Sequence, residues 1–155
     1  MDHNHSGQPS HYVHLGVMAF LSFLAMYALM YAMVDSFANV YMSLNQVYMA
    51  ALMAAPMVVI ELVVMRMMYK DARLNRLIIA ASVVVGIAAF IFIRQQAAIG
   101  DRQFLRSMIP HHAGALLMCQ KANISDAEIA KLCETIAAGQ QQEIDQMKAI
   151  LSRLP

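Results

Sequence analysis

Apolar and polar positions separate cleanly along this chain into three long hydrophobic runs and one amphipathic region after them. The first run, Val13 to Val34, holds no Asp, Glu, Lys or Arg. The second, Leu44 to Met65, is interrupted only by Pro56 and Glu61, and the third, Leu77 to Ile93, is uncharged and closed by Arg94. A bilayer core takes roughly 20 residues of helix, so the runs predict three transmembrane helices, the third at the short end of the range. From Gly100 the pattern changes to a helical period. Phe104, Leu105, Met108, His112, Ala115, Leu116 and Cys119 fall on one side of a helix that Asp101 is placed to cap. Pro110 lies inside it and should kink it or free the carbonyl one turn back. Asn123 and Ile124 read as a turn, and Ser125 with Glu128 as a capping box. A second helix then presents Ile129, Leu132, Cys133, Ile136, Gln140, Glu143, Ile144 and Met147 on one broad face.

These elements predict an all-α protein in three parts. Residues 1–12 form a flexible, His-containing N-terminus, residues 13–95 a three-span membrane domain, and residues 100–155 an antiparallel helical hairpin. A lone hairpin buries too little surface to be stable. It is therefore expected to pack on the membrane domain or on a second copy, completing a four-helix bundle in a homodimer or higher oligomer.

Composition agrees with a lipid partner: 60% of residues are hydrophobic, 14% are charged, and the mean hydropathy is +0.52. A formal net charge of +1 excludes a strongly basic nucleic-acid binder. The N-terminal MDHNHSGQPSHYVH has no Lys or Arg, and no small-residue cleavage site follows the first run, so that run reads as a retained span and not a signal peptide. Arg66, Lys70, Arg73 and Arg76 crowd the connection between the second and third runs, whereas Asp35 to Ser43 contains no base. The positive-inside rule then places the basic loop and the N-terminus in the cytoplasm. The hairpin falls on the periplasmic or external face of a bacterial inner membrane. Arg94, Arg102 and Arg106 oppose this orientation but are outweighed by the short four-base loop.

Methionine is the compositional outlier, with 15 residues and no tryptophan. Its thioether fills gaps in cores and is also a soft metal ligand. Met108, His111 and His112 lie three and four apart on the first hairpin helix, with Met118 two turns beyond His111. Imidazole with thioether suits copper or silver and is poor for magnesium or calcium. Glu143 and Met147, four apart on the facing helix, are placed to complete such a site. The plainer alternative is a pair of surface histidines beside a helix kink, with the methionines packing.

The stretch from Asp101 through Phe104, Met108-Ile-Pro-His111-His112 and Ala115 to Met118 resembles the signature of the domain-of-unknown-function 305 family, a ferritin-like, copper-associated helical group. The run Glu128-Ile129, Ile136-Ala137, Gln140, Glu143-Ile144 and Met147 resembles the second helix of the same repeat. Together they cover about the last third of the chain. The resemblance implies a periplasmic helical domain that binds copper, as Cu(I) or Cu(II), or silver. Its metal ligands would be Met108, His111, His112, Met118 and Met147, with Glu143 and Asp101 as oxygen ligands or supporting groups. Family members often carry two such repeats in tandem and this chain has one, which favours a site shared between copies.

Met49, Met53, Met57, Glu61 and Met65 recur every four residues along the second run. This stripe resembles the Met-x-x-x-Met element of the high-affinity copper transporters, which also have three spans, and it opens a transmembrane metal path as an alternative to packing. Those transporters place the N-terminus outside and carry a Gly-x-x-x-Gly that Gly86 alone does not reproduce. Glu61 is an ionisable group within a span, a costly placement that is functional by default unless it snorkels toward Arg66. His3, His5, His11 and His14 make the N-terminus weakly metal-capable. Cys119 and Cys133 can pair, bind metal as thiols, or act as small buried hydrophobes. Counted outward from Ile124 they do not stand opposite each other, which favours the last. No nucleophile elbow, phosphate loop, dinucleotide fingerprint or paired Glu-x-x-His occurs. The expectation is therefore a membrane-anchored copper- or silver-binding protein and not an enzyme. A transport component and a structural subunit of a membrane complex are the rivals.

Overall fold

A computed structural model describes residues 8–155, and His3 and His5 lie outside that range. The described chain is helical, with no strand among its residues: α1 (Gln8–Leu29), α2 (Leu44–Val64), α3 (Ala72–Gln95), α4 (Asp101–Lys121) and α5 (Ala127–Arg153). Two short 3-10 turns, Met30–Met33 and Phe37–Asn39, lie in the connector between α1 and α2. Three helices, over His11–Met33, Leu44–Val64 and Ala72–Gln95, are long and apolar enough to cross a membrane. The chain divides into two compact units, one of residues 1–29 and 47–97, the other of 30–46 and 98–155.

In the first unit the helices outrun their apolar stretches. The N-terminal segment expected to be flexible to residue 12 is helical from Gln8. Its Tyr12 hydroxyl donates to Asn75 Oδ1 at 2.8 Å and accepts from the Asp71 N–H at 3.2 Å, which anchors that end of α1 to the α2–α3 connection. Asp71 starts α3 five residues before the uncharged run, because its carboxylate accepts from the Arg73 and Leu74 N–H groups. Those bonds hold its carboxyl below the ordinary carboxylate range. At the other end α3 stops at Gln96, whose backbone is left-handed (φ 50°), and the Ala97 and Gln96 N–H groups return to Phe92 and Ile93 carbonyls. This is the Schellman closure, built here without the usual glycine. Leu15, Val58, Leu62 and Tyr69 form the core of this unit.

In the second unit α4 and α5 pack as an antiparallel hairpin around Leu105, Ile109, Ala113, Leu116, Ile144, Met147 and Leu151. Ile109 and Ile144 are completely buried. Pro110 is accommodated within an unbroken α4. The capping differs from expectation by one residue at each helix. Gly100, not Asp101, occupies the N-cap of α4, and Asp101 stands in its first turn. Asp126, not Ser125, caps α5, its carboxylate accepting from the Glu128 and Ile129 N–H groups at 2.9 and 3.0 Å. Both Ser125 and Asp126 are competent caps, and the carboxylate adds a favourable charge at the helix N-terminus.

The connector completes this unit. The Gln103 side chain accepts the otherwise unpaired Leu44 N–H at the start of α2, at 3.0 Å, and Asn45 donates to the Ser107 hydroxyl at 3.0 Å. Val34 and Tyr41 pack against the hairpin core. Within the connector the Tyr31 hydroxyl lies 2.7 Å from Gln46 Oε1 and 2.9 Å from the Tyr41 carbonyl, and Asn39 donates to Asp35 at 2.6 Å. The hairpin therefore acquires its extra packing partner from within the chain, on the side of α4 facing away from α5.

Candidate metal-binding site

The antiparallel register of α4 and α5 sets His112 opposite Glu143. Its Nδ1 lies 3.1 Å from Glu143 Oε2, with the imidazole only 13% exposed and the carboxylate 55% exposed. The approach is close but misaligned, so the buried Nδ1 makes no hydrogen bond. Burial holds the His112 imidazole below its ordinary pKa, aided by neighbouring His111 and opposed by Glu143. The neutral form, which is the one that ligates metals, is thereby favoured. Met108 is one helical turn before His112 and half-buried, while Met147 is one turn beyond Glu143 and buried in the same cluster. His112 and Glu143 are thus brought together, and Met108 and Met147 lie one helical turn from them on the same two helices.

The other three do not join them. His111 is exposed, with its ring centroid 6.1 Å from that of His112. Met118 is also exposed, on the same outward stripe as His111. Asp101, eleven residues before His112, is about 16 Å away along the helix axis and exposed. No cluster of three or more His, Cys, Asp or Glu side chains occurs among the described residues. Within one chain, the donors nearest in register to the His112–Glu143 pair are the Met108 and Met147 thioethers.

Cys119 and Cys133 correct the sequence reading. They form a disulfide, with their Cα atoms 5.3 Å apart, instead of packing as separate thiols. Counting from Ile124 fails because the extended connection from Ala122 to Asp126 does not contribute equally to both helices. It carries the start of α5 about one turn, ~6 Å, beyond the end of α4.

In α2 the packing is carried by Ala50, Ala54, Ala55, Val58 and Leu62. Met49, Met53 and Met65 are exposed within this chain, and Met57 is half-buried. Glu61 is half-buried and accepts the Tyr69 hydroxyl at 3.5 Å, where snorkelling toward Arg66 was the sequence alternative. Burial, followed by the nearby Glu61 charge, raises the Tyr69 pKa. His11 is half-buried and His14 exposed near the start of α1.

Comparison with known proteins adds the following. The domain of unknown function DUF305 matches residues 38–151, which takes in α2 and α3 as well as the hairpin and so extends well beyond the last third of the chain. An uncharacterized protein, L153, of Acanthamoeba polyphaga mimivirus is 33% identical over 138 residues, covering 87% of this chain and 89% of that protein. No solved structure matches.

Proposed function

The chain belongs to the DUF305 family, and from that premise we propose that it is a membrane-anchored copper- or silver-binding protein that captures the ion for resistance or handover. The observation that carries this reading is the His112–Glu143 pair, with Met108 and Met147 one helical turn away on the same helices. A half-buried imidazole whose protonation is opposed by burial, and whose Nδ1 makes no hydrogen bond, has a lone pair to offer. Thioethers add softness, and the carboxylate adds one negative charge toward the ion. Such a set selects a soft or borderline ion and rejects magnesium and calcium. The three apolar helices hold the hairpin at the bilayer. The hairpin lies on the outer, oxidising side, a reading supported by the Cys119–Cys133 disulfide and by the basic residues of the α2–α3 connection. Two copies of the hairpin face each other through the apolar side chains left exposed on it, among them Ile129 and Leu132.

The test is Cu(I) and Ag(I) affinity of the full-length protein in detergent, with His112→Ala and Met108→Leu compared against wild type. Loss of affinity in both variants is expected, and unchanged affinity in both would sink the assignment.

A second reading is favoured by the exposure of Met49, Met53 and Met65, which the chain does not use for its own packing. In it, α2 stripes from several copies line a metal path. Metal flux into proteoliposomes, lost on Met53→Leu with Met57→Leu, discriminates it from simple anchoring.

A further inference from the structure

The start of α3 combines charge and apolar surface in a way that its capping does not explain. Arg73, Arg76 and Leu77 line an open depression of about 440 Å³ at the N-terminal end of that helix. Arg73 and Arg76 are three apart and so share a side of its first two turns. The Arg76 Nε donates to the Ala72 carbonyl at 3.2 Å, which holds that side chain along the helix. Asp71 is the nearest acid in sequence, and its charge attracts Arg73, but its Oδ1 is engaged by the Arg73 and Leu74 N–H groups. Neither arginine is in a salt bridge among the described residues. An apolar stripe begins directly beyond them. Leu77, Ala80, Val84 and Ile87 lie within about 40° of Arg73 around the helix axis, and all four are exposed. α3 is one of the helices long and apolar enough to cross a membrane. From Leu77 to Ile87 the stripe runs about 15 Å, half of a hydrocarbon core of roughly 30 Å and so the depth of one leaflet.

We propose that Arg73 and Arg76 bind the phosphate of an anionic phospholipid whose acyl chain lies along Leu77, Ala80, Val84 and Ile87. A guanidinium forks onto two phosphate oxygens and is weakly hydrated, which suits it to a headgroup at the bilayer surface. The stripe favours a lipid over a free phosphate, because it leads from the charged depression straight into the apolar part of the helix. Charge favours the anionic class. With Arg66 and Lys70, the α2–α3 connection carries four bases against the single acid Asp71. A zwitterionic headgroup would bring a choline that those bases repel. The site rests on the reading of α3 as a membrane span and is independent of the metal-binding reading.

The experiment is native mass spectrometry of the full-length protein released from micelles that carry phosphatidylglycerol or phosphatidylcholine. Wild type should retain phosphatidylglycerol in preference. A base near an anionic lipid surface is worth roughly fivefold in binding, so Arg73→Gln with Arg76→Gln should weaken retention about 25-fold. Arg66→Gln with Lys70→Gln removes the same charge from the same connection, outside the depression, and should cost much less. Arg73→Lys with Arg76→Lys keeps both charges and should recover most of the binding, which separates loss of the site from loss of the fold. Phosphatidylglycerol that persists in the Arg73/Arg76 Gln pair, or falls equally in both Gln pairs, overturns the site. Full displacement by inorganic phosphate assigns the depression to a free anion and overturns the lipid. Equal retention of both lipids overturns the headgroup assignment and leaves the span intact. Protein that stays in solution without detergent and retains neither lipid overturns the span as well.

Discussion

Removing the Cys119–Cys133 bond should destabilise the hairpin by an amount set by the loop it closes. The bonded residues are 14 apart in sequence, so opening the bond frees a loop of about 15 residues, worth about 3 kcal/mol in the chain-entropy account. Both cysteines are only half-buried, so Cys→Ala adds little cavity cost. A change of 3 kcal/mol multiplies the open population by about a hundredfold. Native-state proteolysis reads that population when opening and closing are fast relative to cleavage. The assay is trypsin cleavage at Lys121 and Lys131 in detergent, comparing the oxidised wild type, the reduced wild type and Cys119→Ala/Cys133→Ala. The reduced protein and the double variant should be cut at similar rates, about a hundredfold faster than the oxidised protein. Equal rates in all three would refute the loop-closure reasoning. Two freely alkylated thiols in protein purified without reductant from an oxidising compartment would refute the bond itself.

Four further outcomes are expected. Ile144→Ala, which empties a wholly buried position, should cost about 2–5 kcal/mol in chemical denaturation followed by helical circular dichroism. Asp126→Ala removes the bonds to the Glu128 and Ile129 N–H groups and should cost about 1 kcal/mol in the same measurement, whereas Ser125→Ala should be near neutral. Gly114→Ala adds a Cβ at ordinary contact distance from Met33 and should stabilise α4 slightly, while Gly114→Leu should displace the connector and raise proteolysis between Met33 and Leu44. The lowered pKa of His112 makes the unfolded chain the tighter proton binder. Metal-free stability should therefore be full above the ordinary histidine range and decline as pH falls through it, until the folded imidazole also protonates. His112→Asn should flatten that decline.

Much of this architecture is legible in the residues because the governing physics is local. Uncharged runs near 20 residues identify apolar helices, and the 3.6-residue period of Leu105, Met108, His112 and Leu116 identifies one side of α4, although the core centres on Ile109 and Ala113 and leaves Phe104 exposed. The His112–Glu143 approach was within reach because both residues sit on the inner edges of their helices. Three features were not legible. The Cys119–Cys133 pairing depends on a one-turn offset created by the extended Ala122–Asp126 connection, and no residue count from the turn reveals it. The choice between Ser125 and Asp126 as cap turns on backbone angles where both side chains are competent. The docking of the connector on α4 joins residues about 60 positions apart, with no periodic signal linking them. A trace of it does exist: Gln103, Ser107 and Gly114 form a narrow polar-and-small stripe away from the core face, and such a stripe on an amphipathic helix signals a close backbone neighbour.

That docking also bears on topology. In a chain that crosses a bilayer three times, the α1–α2 connector and everything after α3 must emerge on the same side, and the start of α1 and the α2–α3 connection on the opposite one. The second unit gathers 30–46 with 98–155, and Gln103 and Ser107 bond directly to Leu44 and Asn45. The first unit ties Tyr12 to Asp71 and Asn75. Three crossings require both pairings, and no arrangement with two crossings allows both. Neither depends on hydropathy, since the bonds are between polar groups at helix ends. Apolar length and polar docking are thus independent observations, and both are compatible with three crossings. Met33 stands where they meet, as the last residue of the first apolar helix and the contact of Gly114 on α4.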